Sequence, residues 1–302
     1  MKLWSALIIT SSLFAFDYHL HGVKVTPNVL CFFGKPEEPN LKNGGNMVNT
    51  CAINGGDQTI IIDSGPSAPY AKAVTKALKT MPPIKTVINT HFHDDHLGGN
   101  SFYAAQNIPI IGHEGIKEHY NQEPERFSRM KNFITPDAYG DTTVALPTLT
   151  LQKKYTITTQ KGAVEILHLV RKGHTDTDVV IYFPRDKILF SGDLVFNDRI
   201  FPIRDGDLAG WLEALRLIEK IPYTTLVPGH GTDTSRPTAT LFTKNYLTAL
   251  QREVKKALDD GVDMTAIISK VPLENFASAP LYKELHGKNI LKAYEMLEME
   301  DH

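Results

Sequence analysis

The chain has 302 residues, of which 42% are hydrophobic and 22% charged, and its formal net charge at pH 7 is -2. This composition is typical of a folded globular protein and excludes a disordered chain. Because the net charge is close to zero, the chain has no broad attraction for nucleic-acid phosphates or anionic lipids. We therefore expect no nucleic-acid partner, while the composition leaves the oligomeric state open.

The amino terminus has the pattern of an export signal. Met1 and Lys2 precede an uncharged run, Leu3–Phe16, which is shorter than the roughly 20 residues that span a bilayer. A basic start, an apolar stretch and Ala15 predict a signal peptide over residues 1–15. We therefore expect a periplasmic or secreted protein without stable membrane insertion after cleavage. A buried first strand or an uncleaved anchor is the alternative.

The chain has two cysteines, Cys31 and Cys51, on either side of the polar segment Gly34–Gly45. Two strands joined by this segment could bring the thiols within disulfide distance, and export would permit the bond. Two unpaired buried cysteines are the other interpretation. Neither residue has the CxxC spacing of a metal or redox site.

The first part of the chain predicts strands, a helix and a further strand. Apolar runs indicate strands and helical spacing indicates one helix, in the order Val23–Val25, Val29–Phe33, Met47–Asn54, Thr59–Asp63, helix Ser67–Thr80 and strand Thr86–Asn89. Open α/β sheets usually carry their functional sites at the carboxyl ends of strands. The end of the last strand is therefore the first place to look for chemistry.

The same order returns later in the chain. A hairpin is predicted from Val179–Phe183 and Lys187–Phe190, followed by a helix at Trp211–Ile221 and a strand at Thr225–Val227. This weak internal repeat predicts two sheet-plus-helix halves that pack face to face.

Other segments complete the prediction. Strands are expected at Pro109–Ile111, Thr148–Gln160 and Ala163–Val170, and helices at Ile116–Phe133, Leu241–Leu258, Met264–Lys270 and Lys288–Glu300. No low-complexity linker interrupts the chain. We therefore predict one domain over residues 16–302, in which residues 235–302 form a helical C-terminal extension.

Residues 90–100 read THFHDDHLGGN and place four metal-ligand types, His91, His93, Asp95 and His96, directly after an apolar strand. Extended residues two apart project to the same side, so His91 and His93 can reach one ion. A turn into a helix would let Asp95 and His96 face a second ion. Imidazole and carboxylate are the ligands expected for zinc.

Three more candidate ligands follow later strands, each beside a glycine: His174, Asp193 and His230. Glycine allows the backbone to approach an ion closely. The predicted ligands are His91, His93 and His174 for one ion and Asp95, His96 and His230 for the other, with Asp193 bridging both. We therefore expect two Zn²⁺ ions per chain. Histidines such as His113, His119 and His286 lack this grouping and are interpreted as packing or surface residues.

The four motifs HxHxDH, GHT, SGD and PGHG, in this order, resemble the metallo-β-lactamase superfamily. The resemblance covers residues 23–234 and implies an α/β fold, the four-layer αβ/βα sandwich with C-terminal helices. It also implies that Asp63, in the segment IIIDSG, supports the ligand loop from behind. A helix N-cap is the alternative role for Asp63.

Within the superfamily, two positions argue against a dedicated β-lactamase. Asp193 stands where the familiar dizinc β-lactamases carry cysteine, and Phe196 stands where they carry lysine. The segments GNMVNT, GHTDTDVVIYFP, SGDLVFNDR and HGKNILKAYEMLEME resemble periplasmic zinc metallohydrolases associated with sulfur oxidation and quinoprotein relay systems. Nothing after PGHG resembles the glutathione-binding end of glyoxalase II.

The resemblance implies a zinc-dependent hydrolase in which a dizinc-bound hydroxide attacks an ester, thioester, lactone or lactam carbonyl of a small-molecule substrate. Asp95 and Asp193 would be the catalytic carboxylates, with Asp95 orienting the nucleophile. Arg199 and Arg204 are candidates for binding a substrate carboxylate, and solvated loop charges are the alternative for both. Two other functions stay open, a β-lactamase proper and a mononuclear Fe²⁺ persulfide dioxygenase of the same superfamily.

Overall fold

The computed structural model describes residues 16–300, so the predicted signal peptide lies outside the described residues. Two β-sheets pack against each other, and helices cover the outer face of each sheet. This is the predicted four-layer αβ/βα arrangement with C-terminal helices. Among residues 16–300, no helix is both long and apolar enough to cross a membrane.

The first sheet contains seven strands that are neighbours in sequence order. They are β1 (Gly22–Thr26), β2 (Val29–Phe32), β3 (Thr50–Asn54), β4 (Thr59–Ile62), β5 (Ile84–Ile88), β6 (Ile110–His113) and β7 (Leu149–Leu151). Strands β1 to β4 pair antiparallel, and β4 to β7 pair parallel. The parallel half brings the carboxyl ends of β4 and β5 to one edge of the sheet.

The second sheet has five strands in the order β12-β11-β10-β9-β8. They are β8 (Lys154–Thr159), β9 (Gly162–Leu167), β10 (Val180–Phe183), β11 (Ile188–Phe190) and β12 (Thr225–Val227). The predicted hairpin is present as β10 and β11, which pair antiparallel, whereas β11 and β12 pair parallel. The carboxyl ends of β11 and β12 therefore also lie together.

One predicted strand, Thr148–Gln160, is wrong as a single element. Its first part is β7 of the first sheet, and its second part is β8 of the second sheet. The chain changes sheets between Leu151 and Lys154. Apolar spacing does not reveal this change because both parts have the residue pattern of a strand.

Nine α-helices are present among the described residues. They are α1 (Ala68–Ala77), α2 (Asp94–Leu97), α3 (Asn100–Ala104), α4 (Gly115–Gln122), α5 (Pro136–Tyr139), α6 (Leu208–Ile218), α7 (Leu241–Asp259), α8 (Ile267–Lys270) and α9 (Tyr282–Glu300). The predicted helical region Ile116–Phe133 is divided, because α4 is followed by a 3-10 helix, Pro124–Asn132. Pro124 lacks a backbone N–H and disfavours helical geometry at the preceding residue.

Helix boundaries differ from the predictions where capping decides them. Ser67 is the N-cap of α1, and its hydroxyl accepts a hydrogen bond from the Tyr70 N–H. Helix α6 begins at Leu208, three residues before the predicted start, because Asp207 accepts a hydrogen bond from the Gly210 N–H. Polar side chains at these positions satisfy N–H groups that have no partner within the helix.

The hydrophobic core between the sheets includes Ile53, Ile60, Ile181 and Phe183. Cys31 on β2 lies directly opposite Cys51 on β3, and the two form a disulfide. The bond settles the choice that the sequence left open. Helices α6, α7 and α9 pack on the outer face of the second sheet.

Candidate metal centre

The seven predicted ligands form two neighbouring groups of buried side chains. The first group is His91, His93, His174 and Asp193, and the second is Asp95, His96 and His230. Within each group, one ligand atom per residue lies within 4.8 Å of the others. No member is more than 7% exposed. The chain therefore brings together every residue that the sequence placed at the metal site.

Asp193 lies against both groups. Its Oδ2 atom is 3.4 Å from His174 Nε2 and 3.4 Å from His230 Nε2, and its Oδ1 atom is 3.2 Å from His96 Nε2. Gly229 leaves room for the Asp193 carboxylate, because a Cβ atom at residue 229 would lie 2.0 Å from Asp193 Oδ1. The carboxylate thus stands where it can bind an ion in either group.

Several ligand atoms are buried without a hydrogen-bond partner among the described residues. They include His91 Nε2, His96 Nε2 and Asp193 Oδ1. A buried polar atom left unsatisfied costs about 1–3 kcal/mol, so convergence of three such atoms needs an explanation. Imidazole nitrogens and carboxylate oxygens are the donor set of divalent transition metals, commonly zinc. The residues present therefore fit a bound divalent metal.

The electrostatics of the site also favour a cation. Burial lowers the pKa of His91 well below its usual range and that of His174 to about 3, so both rings are neutral and offer a lone pair. Burial opposes the charge on His96, yet Asp193 and Asp95 raise its pKa well above the usual value. The carboxylates that attract a proton to His96 create a negative potential that attracts a metal cation as well.

Asp63 supports the ligand loop from behind. Its carboxylate accepts hydrogen bonds from the Thr90 N–H at 2.8 Å and the Thr90 hydroxyl at 2.9 Å, and lies 2.8 Å from His96 Nδ1. Asp63 has a φ of +55°, a left-handed conformation that is unusual for a residue other than glycine. Since Ser67 caps α1, Asp63 is not the N-cap. Its contacts orient the His96 ring.

Two contacts to the metal-ligand side chains were not predicted from the sequence. Asp205 Oδ2 lies 2.9 Å from His93 Nε2, and the Met47 carbonyl lies 2.7 Å from His230 Nδ1. Asp205 follows no strand and sits in a charged loop, and Met47 contributes only its backbone. Neither residue therefore carries a signal in the sequence that could have identified it.

The two predicted substrate-binding arginines have different surroundings. Arg204 is exposed, and its Nε donates to Asp205 Oδ2 at 2.9 Å. Arg199 is only 4% exposed and donates from Nη1 to the Glu37 carbonyl at 3.1 Å. Arg199 is therefore not a solvated loop charge. Among the described residues, no carboxylate lies within ion-pair distance of its guanidinium.

A cavity of about 440 Å³ opens onto both groups. Its lining includes the ligands His93, Asp95, Asp193 and His230, the apolar side chains Met47, Met130, Phe133, Phe196 and Leu285, and the cations Arg129, Arg199, Arg204, Lys288 and Lys292. The volume falls within the range of small-molecule sites.

The αβ/βα fold and the buried His/Asp site together define a metal-dependent hydrolase. The sequence model of the metallo-β-lactamase superfamily matches residues 43–230, which is more than half of the chain. The chain therefore belongs to the metallo-β-lactamase superfamily.

Similarity to individual proteins is more distant. The chain is 28% identical over 190 residues to a probable metallo-hydrolase, YybB, of Bacillus subtilis, covering 61% of this chain and 80% of the relative. It is 26% identical over 166 residues to a hydroxyacylglutathione hydrolase of Legionella pneumophila, covering 55% of this chain and 54% of that protein. It is 25% identical over 219 residues to the human acyl-coenzyme A thioesterase MBLAC2, covering 62% of this chain and 74% of the relative. The chain thus spans about half of the Legionella enzyme.

Solved structures show the same fold. A metallo-β-lactamase from Pontibacter korlensis superposes with a TM-score of 0.60 at 23% identity, covering 76% of this chain and 99% of that one. The metallo-β-lactamase DIM-1 superposes with a TM-score of 0.59 at 17% identity, covering 76% of this chain and 97% of that one.

Proposed function

We propose that the protein is a dizinc hydrolase that cleaves an ester, thioester, lactone or lactam bond of a small molecule. The observation that carries this proposal is the pair of His/Asp groups that meet at Asp193 and open into one cavity. The similarity to a hydroxyacylglutathione hydrolase and to an acyl-coenzyme A thioesterase supports hydrolysis of an acyl compound.

Each residue has a distinct task in this proposal. His91, His93 and His174 would hold one ion, Asp95, His96 and His230 would hold the other, and Asp193 would contribute its carboxylate beside both groups. When bound, the metal supplies Lewis-acid activation of water and of the substrate carbonyl. Asp95 borders the cavity, with its Oδ2 3.4 Å from His230 Nε2, and it can accept a hydrogen bond from an attacking water and so orient it.

The surroundings of Phe196 weigh against a dedicated β-lactamase. The ring stacks on His230, with centroids 5.0 Å apart and planes 1° apart, and also stacks on Phe201. An aromatic ring at this position packs beside a ligand but supplies no charge for the carboxylate of a β-lactam drug.

We further propose that the protein is exported and belongs with the periplasmic zinc metallohydrolases associated with sulfur oxidation and quinoprotein relay systems. The Cys31–Cys51 disulfide supports an oxidising compartment, because disulfides persist mainly outside the cytosol. Fractionation of cells that express the full chain tests the location, and recovery in the cytosol would contradict it.

The activity is tested with a panel of one thioester, one carboxylic ester, one lactone and one β-lactam. Turnover of an acyl compound that falls more than about 100-fold in Asp193→Ala is expected, because the substitution removes a ligand from both groups. Asp141→Ala, which changes an exposed carboxylate, is the matched control. Oxygen uptake on a persulfide, without hydrolysis of any panel member, would contradict the proposal in favour of the iron dioxygenase.

A further inference from the structure

One face of helix α9 lines the cavity. Leu285, Lys288, Asn289 and Lys292 all line it, at the spacing of residues that share one side of a helix. The superfamily match ends at residue 230, so this wall of the cavity lies outside the matched region. The match to the superfamily model therefore does not account for the residues of α9.

The face of α9 is fixed relative to the metal groups. Asn289 donates from Nδ2 to the Phe201 carbonyl at 2.8 Å and to the Tyr246 hydroxyl at 3.0 Å. Its Oδ1 accepts from the Ile203 N–H at 3.2 Å. Because Asn289 is buried, these bonds hold α9 firmly against the segment that follows Asp193.

Two arginines in the cavity wall already have a carboxylate partner. Arg129 Nη2 lies 3.2 Å from Asp94 Oδ1, and Arg204 Nε lies 2.9 Å from Asp205 Oδ2. Both ion pairs join elements of the protein to one another. These two arginines are therefore less available to a substrate than the other cations of the wall.

Arg199 and Lys288 have no carboxylate within 4.0 Å among the residues that the structure describes. Lys292 pairs with Glu295 at 3.1 Å, where both side chains are partly exposed and the bond is weak. Burial disfavours the charge on Arg199, and the cavity-lining carboxylates of Asp193, Asp95 and Glu38 stabilise it from beyond ion-pair distance. A buried guanidinium without an ionic partner is costly unless an anion binds beside it.

Apolar side chains accompany these charges in the lining. Leu285 lies one turn before Lys288 on α9, and Met130 and Phe133 also border the cavity. The cavity therefore combines the metal groups, an apolar surface and unpaired cations. Such a lining suits a molecule that has a reactive carbonyl, an apolar spacer and an anionic group.

We propose that Arg199 and Lys288, with Lys292 beside them, form an anion subsite that selects acyl substrates bearing a carboxylate or phosphate group. This inference rests on the proposed function, since it names the substrate class of the same site. The anionic group binds between α9 and Arg199, and the apolar spacer reaches from there to the metal groups.

The test uses two pairs of thioesters that differ only in one charge. The first pair, S-ethyl thioadipate and its terminal carboxamide, places the charge on the acyl side. The second pair, S-hexanoyl-3-mercaptopropionate and its carboxamide, places it on the leaving group. We expect a KM about fivefold lower for the acid than for the amide in at least one pair, with similar kcat.

Substitutions in α9 show which lysine is responsible for the preference for the acid over the amide. Lys288→Gln should remove about fivefold of the preference for the acid through KM, and Lys288→Arg should retain it. Lys283→Gln is the matched control, because Lys283 is exposed on the same helix and does not line the cavity. Hydrolysis without preference in either pair, or equal effects of Lys288→Gln and Lys283→Gln, would overturn the subsite and leave the hydrolase intact.

A binding measurement separates the subsite from the chemistry. The non-hydrolysable N-ethyl adipamic acid and N-ethyl adipamide are titrated calorimetrically into the holoenzyme and the three variants. Weaker binding of the acid in Lys288→Gln alone supports the subsite, even where no thioester is hydrolysed. The absence of hydrolysis would refute only the proposed function. Equal affinity for acid and amide in the unmutated protein, together with no preference in either thioester pair, overturns the subsite.

Discussion

Two histidines of the metal groups direct one ring nitrogen towards the group and the other towards a carboxylate outside it. His93 turns Nδ1 towards His174 and Nε2 towards Asp205, and His96 turns Nε2 towards Asp193 and Nδ1 towards Asp63. A carboxylate on the outer nitrogen fixes the tautomer and the orientation of the ring. At the scale of single residues, the site therefore depends on side chains that bind no metal themselves.

Asp205 offers the sharpest test of this dependence. Asp205→Ala removes the partner of His93 Nε2 and should weaken metal binding by about 10- to 100-fold, because the ring loses its fixed orientation. The affinity is measured by competition with a chromophoric chelator at constant pH. Asp141→Ala is the control for loss of one carboxylate, and equal metal affinity in both variants would show that Asp205 does not position His93.

At the scale of secondary-structure elements, α9 is anchored through a buried histidine. His286 Nε2 donates to the Val271 carbonyl at 2.8 Å, and its Nδ1 accepts from the Tyr246 hydroxyl at 2.9 Å. This pattern requires the neutral imidazole, because a protonated ring could not accept from Tyr246. Burial lowers the pKa of His286 below its ordinary value of 6.5.

The anchor predicts a loss of stability in acid. Because the pKa of His286 is lower in the folded state, its contribution is present above pH 6.5 and is lost as the pH falls through the folded-state pKa. The free energy of unfolding, measured in urea from pH 7 to pH 5, should fall less steeply in His286→Gln than in the unmutated protein. Parallel pH profiles for the two proteins would show that the pKa of His286 is the same in the folded and unfolded states, which would contradict this role.

The disulfide joins strands β2 and β3 and should have a measurable effect on the free energy of unfolding. Cys31 and Cys51 are 20 positions apart, and closing a loop of this length stabilises the folded state by about 3 kcal/mol in the chain-entropy model. The enclosed loop carries Met47, whose carbonyl faces His230.

The double variant Cys31→Ala, Cys51→Ala should therefore lose about 3 kcal/mol in the free energy of unfolding. Urea titrations of the variant and of the unmutated protein, with and without reductant, measure the difference. Equal stability of all samples would mean that the bond contributes little.

For the whole molecule, the sequence predicted the ligands better than their surroundings. His91, Asp193 and His230 are recognisable because each has a ligand-type side chain directly after a buried strand, where parallel pairing brings strand ends together. Asp205 and Lys288 approach the site only through the packing of a loop and a distant helix. Local patterns carry no information about such long-range contacts.

The division of residues 148–160 between two sheets illustrates the same limit. Residue pattern predicted extended structure there, and extended structure is present. The choice of sheet, however, depends on which neighbours the strand meets after folding. The order of the elements and the motifs were enough to predict the fold class. The neighbours of each strand, however, depend on contacts that form only in the folded chain.

Metal content shows most directly whether two metal ions bind at the groups that meet at Asp193. The full chain and its Asp193→Ala and Asp141→Ala variants are purified without added metal and analysed by mass spectrometry. We predict about two zinc ions per chain in the unmutated protein and in Asp141→Ala, and a marked loss in Asp193→Ala. A single iron ion per chain, or the same metal content in all three proteins, would rule out a two-zinc centre that depends on Asp193.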